Sequence, residues 1–331
     1  MIRTILASVI LSAASLVLVA VLLGEPADLL RLWHQDRAAL RVALGLLMAS
    51  YACGGARLAL LARAAGVRLS VLRGARAHLL GLFAAAVTPS GGGNHPAIAL
   101  TLRREGMTHA TSWSIAVYTT ILDLAFFAWS VPLAVVGLAL GGGIVDRSLV
   151  WLAAPLGAAF VALWFLLAFR LRWFGRRVLR AFSLPLLRRR RRHATRFVLE
   201  LEEATATVTG GTYLTHAALN LLTAGMHLSL HAIFFAYATL GLGAPLALLP
   251  TLMVVLLVSI GAYLVPTPGG SGYMELAAAA MFTRAADPAL IAPAVLAWRL
   301  TGHYLALLLG PVLGGTMLAR SLAGRARGGG A

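Results

Sequence analysis

The chain has 331 residues, is 60% hydrophobic and only 12% charged, and has a mean hydropathy of +0.86, which excludes a soluble globular class and indicates a polytopic membrane protein. Its formal net charge of +17 comes entirely from arginine, since the chain contains no lysine. The arginines fall mainly between the apolar segments, as the basic loops of membrane proteins do, so no nucleic-acid partner is inferred. Cys53 is the only cysteine, which excludes an internal disulfide and any zinc or iron–sulfur site built on cysteine.

Apolar segments lie near 4–23, 39–62, 77–102, 111–140, 149–169, 212–240, 246–283 and 289–319. The first follows Arg3, is longer than a signal-peptide core, and is expected to remain as a span. With the N-terminus inside, the loop after it is mixed in charge and lies outside. The next loop, with Arg63, Arg68, Arg73 and Arg76, returns inside.

Segment 77–102 ends at Arg103 and Arg104, so both its ends belong inside. It is interrupted by Thr88-Pro89-Ser90-Gly91-Gly92-Gly93. Proline lacks an amide donor and glycine holds a helix poorly, so the run should break there. The flanking arms are shorter than the ~20 residues a helix needs to span, which predicts a re-entrant hairpin. After the break, Asn94 is expected as an N-cap, with His95 and Pro96 in the first turn.

Segment 111–140 crosses outward and carries Asp123. Segment 149–169 returns to the basic loop at 170–211, where Arg172-Trp173-Phe174-Gly175-Arg176-Arg177-Val178-Leu179-Arg180 reads as an interfacial helix or a topology anchor. Segment 212–240 crosses outward and carries His216, Asn220, Thr223, His227 and His231 at spacings of four, three, four and four, on one helical face. Such a face lines a polar cavity or bonds neighbouring helices. Its i,i+4 histidines lack a suitably spaced acid, so no metal site is inferred.

Segment 246–283 is interrupted by a second motif copy, Thr267-Pro268-Gly269-Gly270-Ser271-Gly272, followed by Tyr273, Met274 and Glu275. The tail carries Arg320, Arg325 and Arg327, so 289–319 runs inward and 246–283 has both ends outside. That makes it a hairpin entering from the opposite face, although the arm 246–265 is long enough to cross by itself. Twenty-one arginines fall inside and five outside, with Arg57 and Arg299 inside spans, which favours this orientation. The predicted fold is therefore all-α, with about six full spans and two opposed re-entrant hairpins forming an inverted repeat. It forms a single transmembrane domain over 1–331, with 320–331 as a flexible tail.

Interrupted helices in matching positions of two halves are a pointer to a transport site, with half-helix N-termini facing a polar substrate. The expected substrate-binding residues are Thr88, Ser90, Gly92, Asn94, His95, Asp123, Thr267, Gly269, Gly270, Ser271, Tyr273, Glu275 and Arg299. His216, Asn220, His227, His231 and His303 are expected to line the cavity. Asp123 or Glu275 could pair with Arg299, leaving one carboxylate over for a zwitterionic or cationic headgroup. No nucleophile–base pair, P-loop or dinucleotide fingerprint is present, so neither an enzyme nor a cofactor is expected.

The stretch Val87-Thr88-Pro89-Ser90-Gly91-Gly92, the downstream Leu102-Arg103-Arg104-Glu105-Gly106, and Val265-Pro266-Thr267-Pro268-Gly269-Gly270-Ser271-Gly272-Tyr273-Met274-Glu275 followed by Arg299 resemble the lysylphosphatidylglycerol synthase transmembrane family. This is the membrane half of multiple peptide resistance factor proteins. The resemblance implies a bacterial inner-membrane protein that flips phospholipid, including aminoacylated phosphatidylglycerol. Bifunctional relatives carry a soluble synthase domain after the membrane part, and synthase activity is not expected to carry over to these residues. His95-Pro96 departs from the family pattern and leaves the headgroup open. Alternatives are a small-solute or ion-coupled secondary transporter, or an accessory protein in hopanoid, polyprenyl or glycolipid envelope synthesis. A second copy of the chain or a separate lipid-modifying enzyme are the protein partners open to it.

The topology predicts that a cysteine placed at position 105 is labelled from the cytoplasmic side and one at 285 from the other side. Labelling of both from one side would remove the opposed arrangement.

Overall fold

The computed structural model describes residues 37–140 except Pro89, residues 211–314 except 283 and 284, and the isolated helical positions 155, 158, 159, 161 and 162. The expected span at 4–23, nearly all of that at 149–169, the loop at 170–211 up to its last residue, and the tail at 320–331 lie outside the described residues.

Eight helices are present among the described residues, and no strand. In chain order they are α1 (Arg37–Ala64), α2 (Val71–Ala86), α3 (Asn94–Arg104), α4 (His109–Leu140), α5 (Tyr213–Phe235), α6 (Leu248–Gly261), α7 (Tyr273–Phe282) and α8 (Pro288–Arg299). Helix α5 runs on through a π-helical turn, Ala236–Gly241, and α8 through another, Leu300–Tyr304, before continuing to Gly314.

Helices α1, α4, α5 and α8, with their extensions, are 28, 32, 29 and 27 residues long and apolar, enough to cross a membrane. Exposed apolar side chains form stripes at helical spacing. Leu40, Leu44 and Met48 do so on α1, and Trp129, Leu133, Val136 and Leu140 on α4. In a soluble protein such stripes would need a partner; on long apolar helices they are the lipid-facing surface. Pro132 and Pro293 sit inside α4 and α8, a placement tolerated where neighbouring helices re-satisfy the freed backbone.

The two motif copies fall between short helices. Helices α2 and α3 have 16 and 11 residues and flank the first; α6 and α7 have 14 and 10 and flank the second. All four are shorter than a crossing helix requires. Helix α2 begins earlier than the apolar run suggested, because Ser70 Oγ accepts the Arg73 N–H at 3.3 Å and caps the extra turns. The outer ends of α2 and α3 lie together: Arg73 Nη1 donates to Glu105 Oε2 at 3.2 Å. Arg76 Nη2 reaches the Leu313 carbonyl at 3.2 Å, so the far end of the last helix is at this same pole.

Two large apolar cores and a small third, Ala86, Val87 and Leu307, hold these elements. One joins α1–α5 through Leu58, Leu61, Ile98, Leu102, Ile115, Leu122 and Leu219. The larger surrounds α6–α8 and the ends of α4 and α5, with Phe126, Phe234, Phe282, Ile260 and Trp298.

Helix α1 crosses α2 at glycine. A Cβ at Gly74 would collide with the Gly55 carbonyl, whereas one at Gly45 would meet nothing. Gly74→Ala should therefore lower stability by about 1–3 kcal/mol through overpacking. Gly45→Ala, which only improves helix propensity, should raise it by about 0.5–1 kcal/mol. Thermal unfolding of both variants in detergent micelles checks the contrast.

Candidate functional site

The two breaks share a backbone. Position three of each motif is left-handed, Ser90 at φ 50° and Gly269 at φ 59°, and so is position four, Gly91 at 71° and Gly270 at 66°. In both, the amide of position four bonds to the carbonyl of the leading threonine: Gly91 to Thr88 at 3.3 Å and Gly270 to Thr267 at 3.2 Å. In both, the following helix begins six residues after that threonine, at Asn94 and Tyr273. Glycine is required at 269 twice over, since a Cβ there would also run into the His303 ring. Ser90 tolerates the left-handed conformation while its Oγ donates to the Val265 carbonyl at 3.3 Å, a bond from the first break directly to the second.

The second break is clamped by a buried ion pair. Arg299 Nε donates to Glu275 Oε1 at 2.7 Å, and Arg299 Nη2 to the Gly269 carbonyl at 3.2 Å. Glu275 Oε2 accepts the Gly272 N–H at 2.8 Å. Glu275 is the third residue of α7 and reaches back to the residue before the helix, the acidic half of a capping box. Glu275 is 0% and Arg299 5% exposed. The first break is closed differently. Thr88 Oγ1 donates to the Ala84 carbonyl at 2.7 Å and accepts the Gly93 N–H at 2.8 Å. That bond supplies the cap, so Gly93 rather than Asn94 precedes the helix, and Asn94 Oδ1 turns inward without a partner.

Where the tips meet there is a cavity of about 240 Å³. Ser90 and Gly91 of the first break, Gly269 and Gly270 of the second, and Arg299, His78, His227, His231 and His303 contribute to its wall, with apolar surface from Leu82, Phe127 and Trp298. The π turns in α5 and α8 are joined next to it by a 2.7 Å bond between Tyr237 and Thr301 hydroxyls. Wide turns of this kind recur at functional sites.

A second polar cluster braces three helices behind the wall. Arg57 of α1, only 2% exposed, donates to Asp123 Oδ1 of α4 and bonds Thr223 Oγ1 of α5 at 3.4 Å. His227 Nε2 lies 3.2 Å from the same Asp123 oxygen. The His227 ring stacks on Phe126 with centroids 4.7 Å apart, which fixes its orientation. Asp123 is therefore partnered by Arg57, and Glu275 by Arg299. The expectation of one carboxylate left over is corrected: Arg57, counted from sequence as merely lying in a span, takes it up.

Of the residues expected at the site, Ser90, Gly269, Gly270, Arg299, His227, His231 and His303 line the cavity. Asp123 and Glu275 stand behind it through His227 and Arg299. Thr88, Thr267 and buried Ser271 belong to the turns themselves, and Gly92 is exposed on the outside of its turn. Tyr273 lies over Gly261 at the end of α6. His95 Nε2 bonds Thr120 Oγ1 at 2.7 Å and ties α3 to α4. His216 and Asn220 stand outside the cavity wall. His216 is eleven residues before His227, about 16 Å along the helix, too far for one small cavity to reach. Its Nδ1 faces the Tyr118 hydroxyl at 3.2 Å instead, and Asn220 Nδ2 returns to the His216 carbonyl. His78 was not anticipated. It sits in the first interrupted segment, 4% exposed, and a lone histidine in an apolar run was the available signal.

Removing one member of a buried pair strands the other. Arg299→Met alone should cost about 3–5 kcal/mol. The double variant Glu275→Gln/Arg299→Met should recover more than half of that. Unfolding of the three proteins in detergent checks this; additive losses would mean that the two groups are not coupled.

A search of curated proteins returns no match to this chain. Among protein families, the one described as Lysylphosphatidylglycerol synthase TM region matches residues 5–310, a stretch that takes in both breaks, the Glu275–Arg299 clamp and the cavity. The chain belongs to that family.

Proposed function

We propose that this protein is a lipid flippase or scramblase that moves a phospholipid, aminoacylated phosphatidylglycerol among the candidates, between the leaflets of a bacterial inner membrane. The observation that carries the reading is the meeting of two like-built helix breaks, Ser90 Oγ to the Val265 carbonyl, at a cavity whose largely apolar wall includes Arg299 and four histidines. Irregular backbone at membrane depth is tolerated where it lines such a cavity, and two interrupted segments in matching positions are the arrangement of transporter sites.

In this reading α2–α3 and α6–α7 are re-entrant hairpins from opposite faces, packed among α1, α4, α5 and α8, and the remaining expected spans, at 4–23 and 149–169, lie almost wholly outside the described residues. The Arg73–Glu105 contact supports the first hairpin, since it brings both outer ends to one pole. The Arg76 bond to the Leu313 carbonyl supports a cytoplasmic C-terminus, since it brings the last helix to the pole that carries Arg63, Arg68, Arg73 and Arg76. At about 240 Å³ the cavity is smaller than the ~300–1,000 Å³ that encloses a drug-sized ligand. It suits a headgroup, with the acyl chains left in the bilayer. The family membership supports a lipid-related role in the membrane. No catalytic step is assigned.

Reconstitution into vesicles carrying fluorescently labelled lipids tests the proposal. Leaflet exchange should depend on the protein and fall more than tenfold with Leu82→Trp, which fills the cavity while the Glu275–Arg299 clamp stays whole. Exchange at the protein-free rate across anionic, zwitterionic and aminoacylated lipids would overturn it.

A further inference from the structure

His227 stands between the buried ionic brace and the cavity. Its Nε2 lies 3.2 Å from Asp123 Oδ1, while the side chain is 12% exposed and lines the cavity. An ionised carboxylate only accepts hydrogen bonds, so in the neutral ring Nε2 carries the hydrogen and Nδ1 holds a lone pair. Nδ1 has no hydrogen-bond partner among the described residues. Unlike the stranded ring nitrogens of His78, His231 and His303, it is not buried. Phe126, stacked with centroids 4.7 Å apart, and Phe127, tilted at 5.0 Å, hold the ring in this orientation.

The charged and titratable groups around this ring come from every element packed against it. On α4 it meets Asp123, which is also bonded to Arg57 of α1. On its own helix His231 follows one turn later, with ring centroids 6.2 Å apart. His78 of α2, His95 of α3 and Tyr263 beyond α6 lie within electrostatic reach of the ring or of its carboxylate. From the last helix Arg299 and His303 share the cavity wall, and Arg299 is balanced by Glu275. Among the described residues the ions at the cavity therefore cancel, Arg57 against Asp123 and Arg299 against Glu275. With His227 neutral, the site offers a ligand no net charge. With Nδ1 protonated it offers one positive charge, and Nε2 stays on Asp123.

A phospholipid headgroup, with an amine or without, carries a phosphodiester anion. Brought into a site of zero net charge, that anion has no counter-charge, and an unbalanced charge out of water is costly. We propose that His227 is a proton site linked to ligand binding, so that a phosphodiester enters the cavity together with a proton taken up at Nδ1. The step forms one N–H bond and breaks none in the ligand; the proton comes from water and returns to water on release. By reciprocity, the ligand tightens proton binding by the same factor as the proton tightens ligand binding. The lipid as ligand rests on the transport reading. On that reading one proton moves with each phosphate, and a pH gradient across the membrane gives the exchange a direction.

Binding of fluorescent phosphatidylglycerol to the detergent-solubilised full chain tests it. The phosphodiester stays ionised between about pH 5 and 8, the window in which histidine ordinarily changes charge, so pH dependence there belongs to the protein. Affinity should fall as pH rises, with a slope approaching about tenfold per pH unit once the free site is deprotonated. At the alkaline end, binding should draw about one proton per lipid from a weakly buffered solution. His227→Gln, which keeps a donor for Asp123, should flatten the profile; His216→Gln, outside the cavity, should keep it. Glycerophosphoglycerol as competitor separates the sources of the ligand. Displacement as strong as by the lipid assigns the proton-linked site to a soluble phosphodiester, and weaker displacement assigns it to lipid. A flat wild-type profile, no probe binding, or an unaltered slope in His227→Gln would overturn the proposal; the wild-type profile decides alone if the variant does not fold. In vesicles, leaflet exchange that ignores a pH gradient would remove the proton and leave the transport reading. Proton-linked binding without any exchange would remove the transport reading and leave the proton site standing.

Discussion

Glu275 and Arg299 are buried in the apolar interior and bonded to each other at 2.7 Å. Such a pair adds little net stability over an apolar alternative, because desolvating two charges cancels most of their attraction. Its consequence here is geometric. One carboxylate oxygen takes the guanidinium and the other takes the Gly272 amide, while the guanidinium also takes the Gly269 carbonyl. A chain reversal rich in glycine and proline would otherwise sample many conformations. It is fixed from both sides by groups that cannot leave without exposing a bare charge. The cavity wall, the entry into α7 and the contact with the first break all follow from that fixation.

The two breaks reach the same backbone by different chemistry. Both place left-handed residues at their third and fourth positions and start a helix at the same register. The second uses charge; the first uses the Thr88 hydroxyl, which bonds in two directions. The equivalent Thr267 hydroxyl is buried without a partner, since Arg299 and Glu275 have taken over the turn. Left-handed geometry at the third position is met by glycine in one copy and by serine in the other. The serine repays its conformational cost with the bond that joins the copies.

Much of this could be read from the chain because membrane burial writes in simple terms. Long apolar runs gave α1, α4, α5 and α8, and Pro-Gly punctuation located both breaks to within a few residues. Arg299 and Glu275 stood out as ions in apolar surroundings. What could not be read was pairing across helices. Arg57 and Asp123 are 66 residues apart, and nothing local tells which arginine a buried acid will meet. Nor does periodicity tell how far a polar stripe accompanies a cavity: His227 and His231 stay with it, whereas His216 and Asn220 have run past its end. The π turns were invisible too, because an extra residue per turn leaves no composition signal.

Those turns carry a mechanical consequence. A π turn holds one residue more than an α turn, so relaxing it would rotate the helix beyond it by about 100° relative to the helix before it. In α8 the boundary falls between Arg299, which ends the α segment, and His303, within the wide turn. Winding it tight would keep the guanidinium on its carboxylate and swing the imidazole away from Gly269. Because the Tyr237 and Thr301 hydroxyls join the wide turns of α5 and α8, such a change in one helix would strain or break that bond. That bond thereby links the helix that carries His231 to the one that carries His303, two residues of the cavity wall.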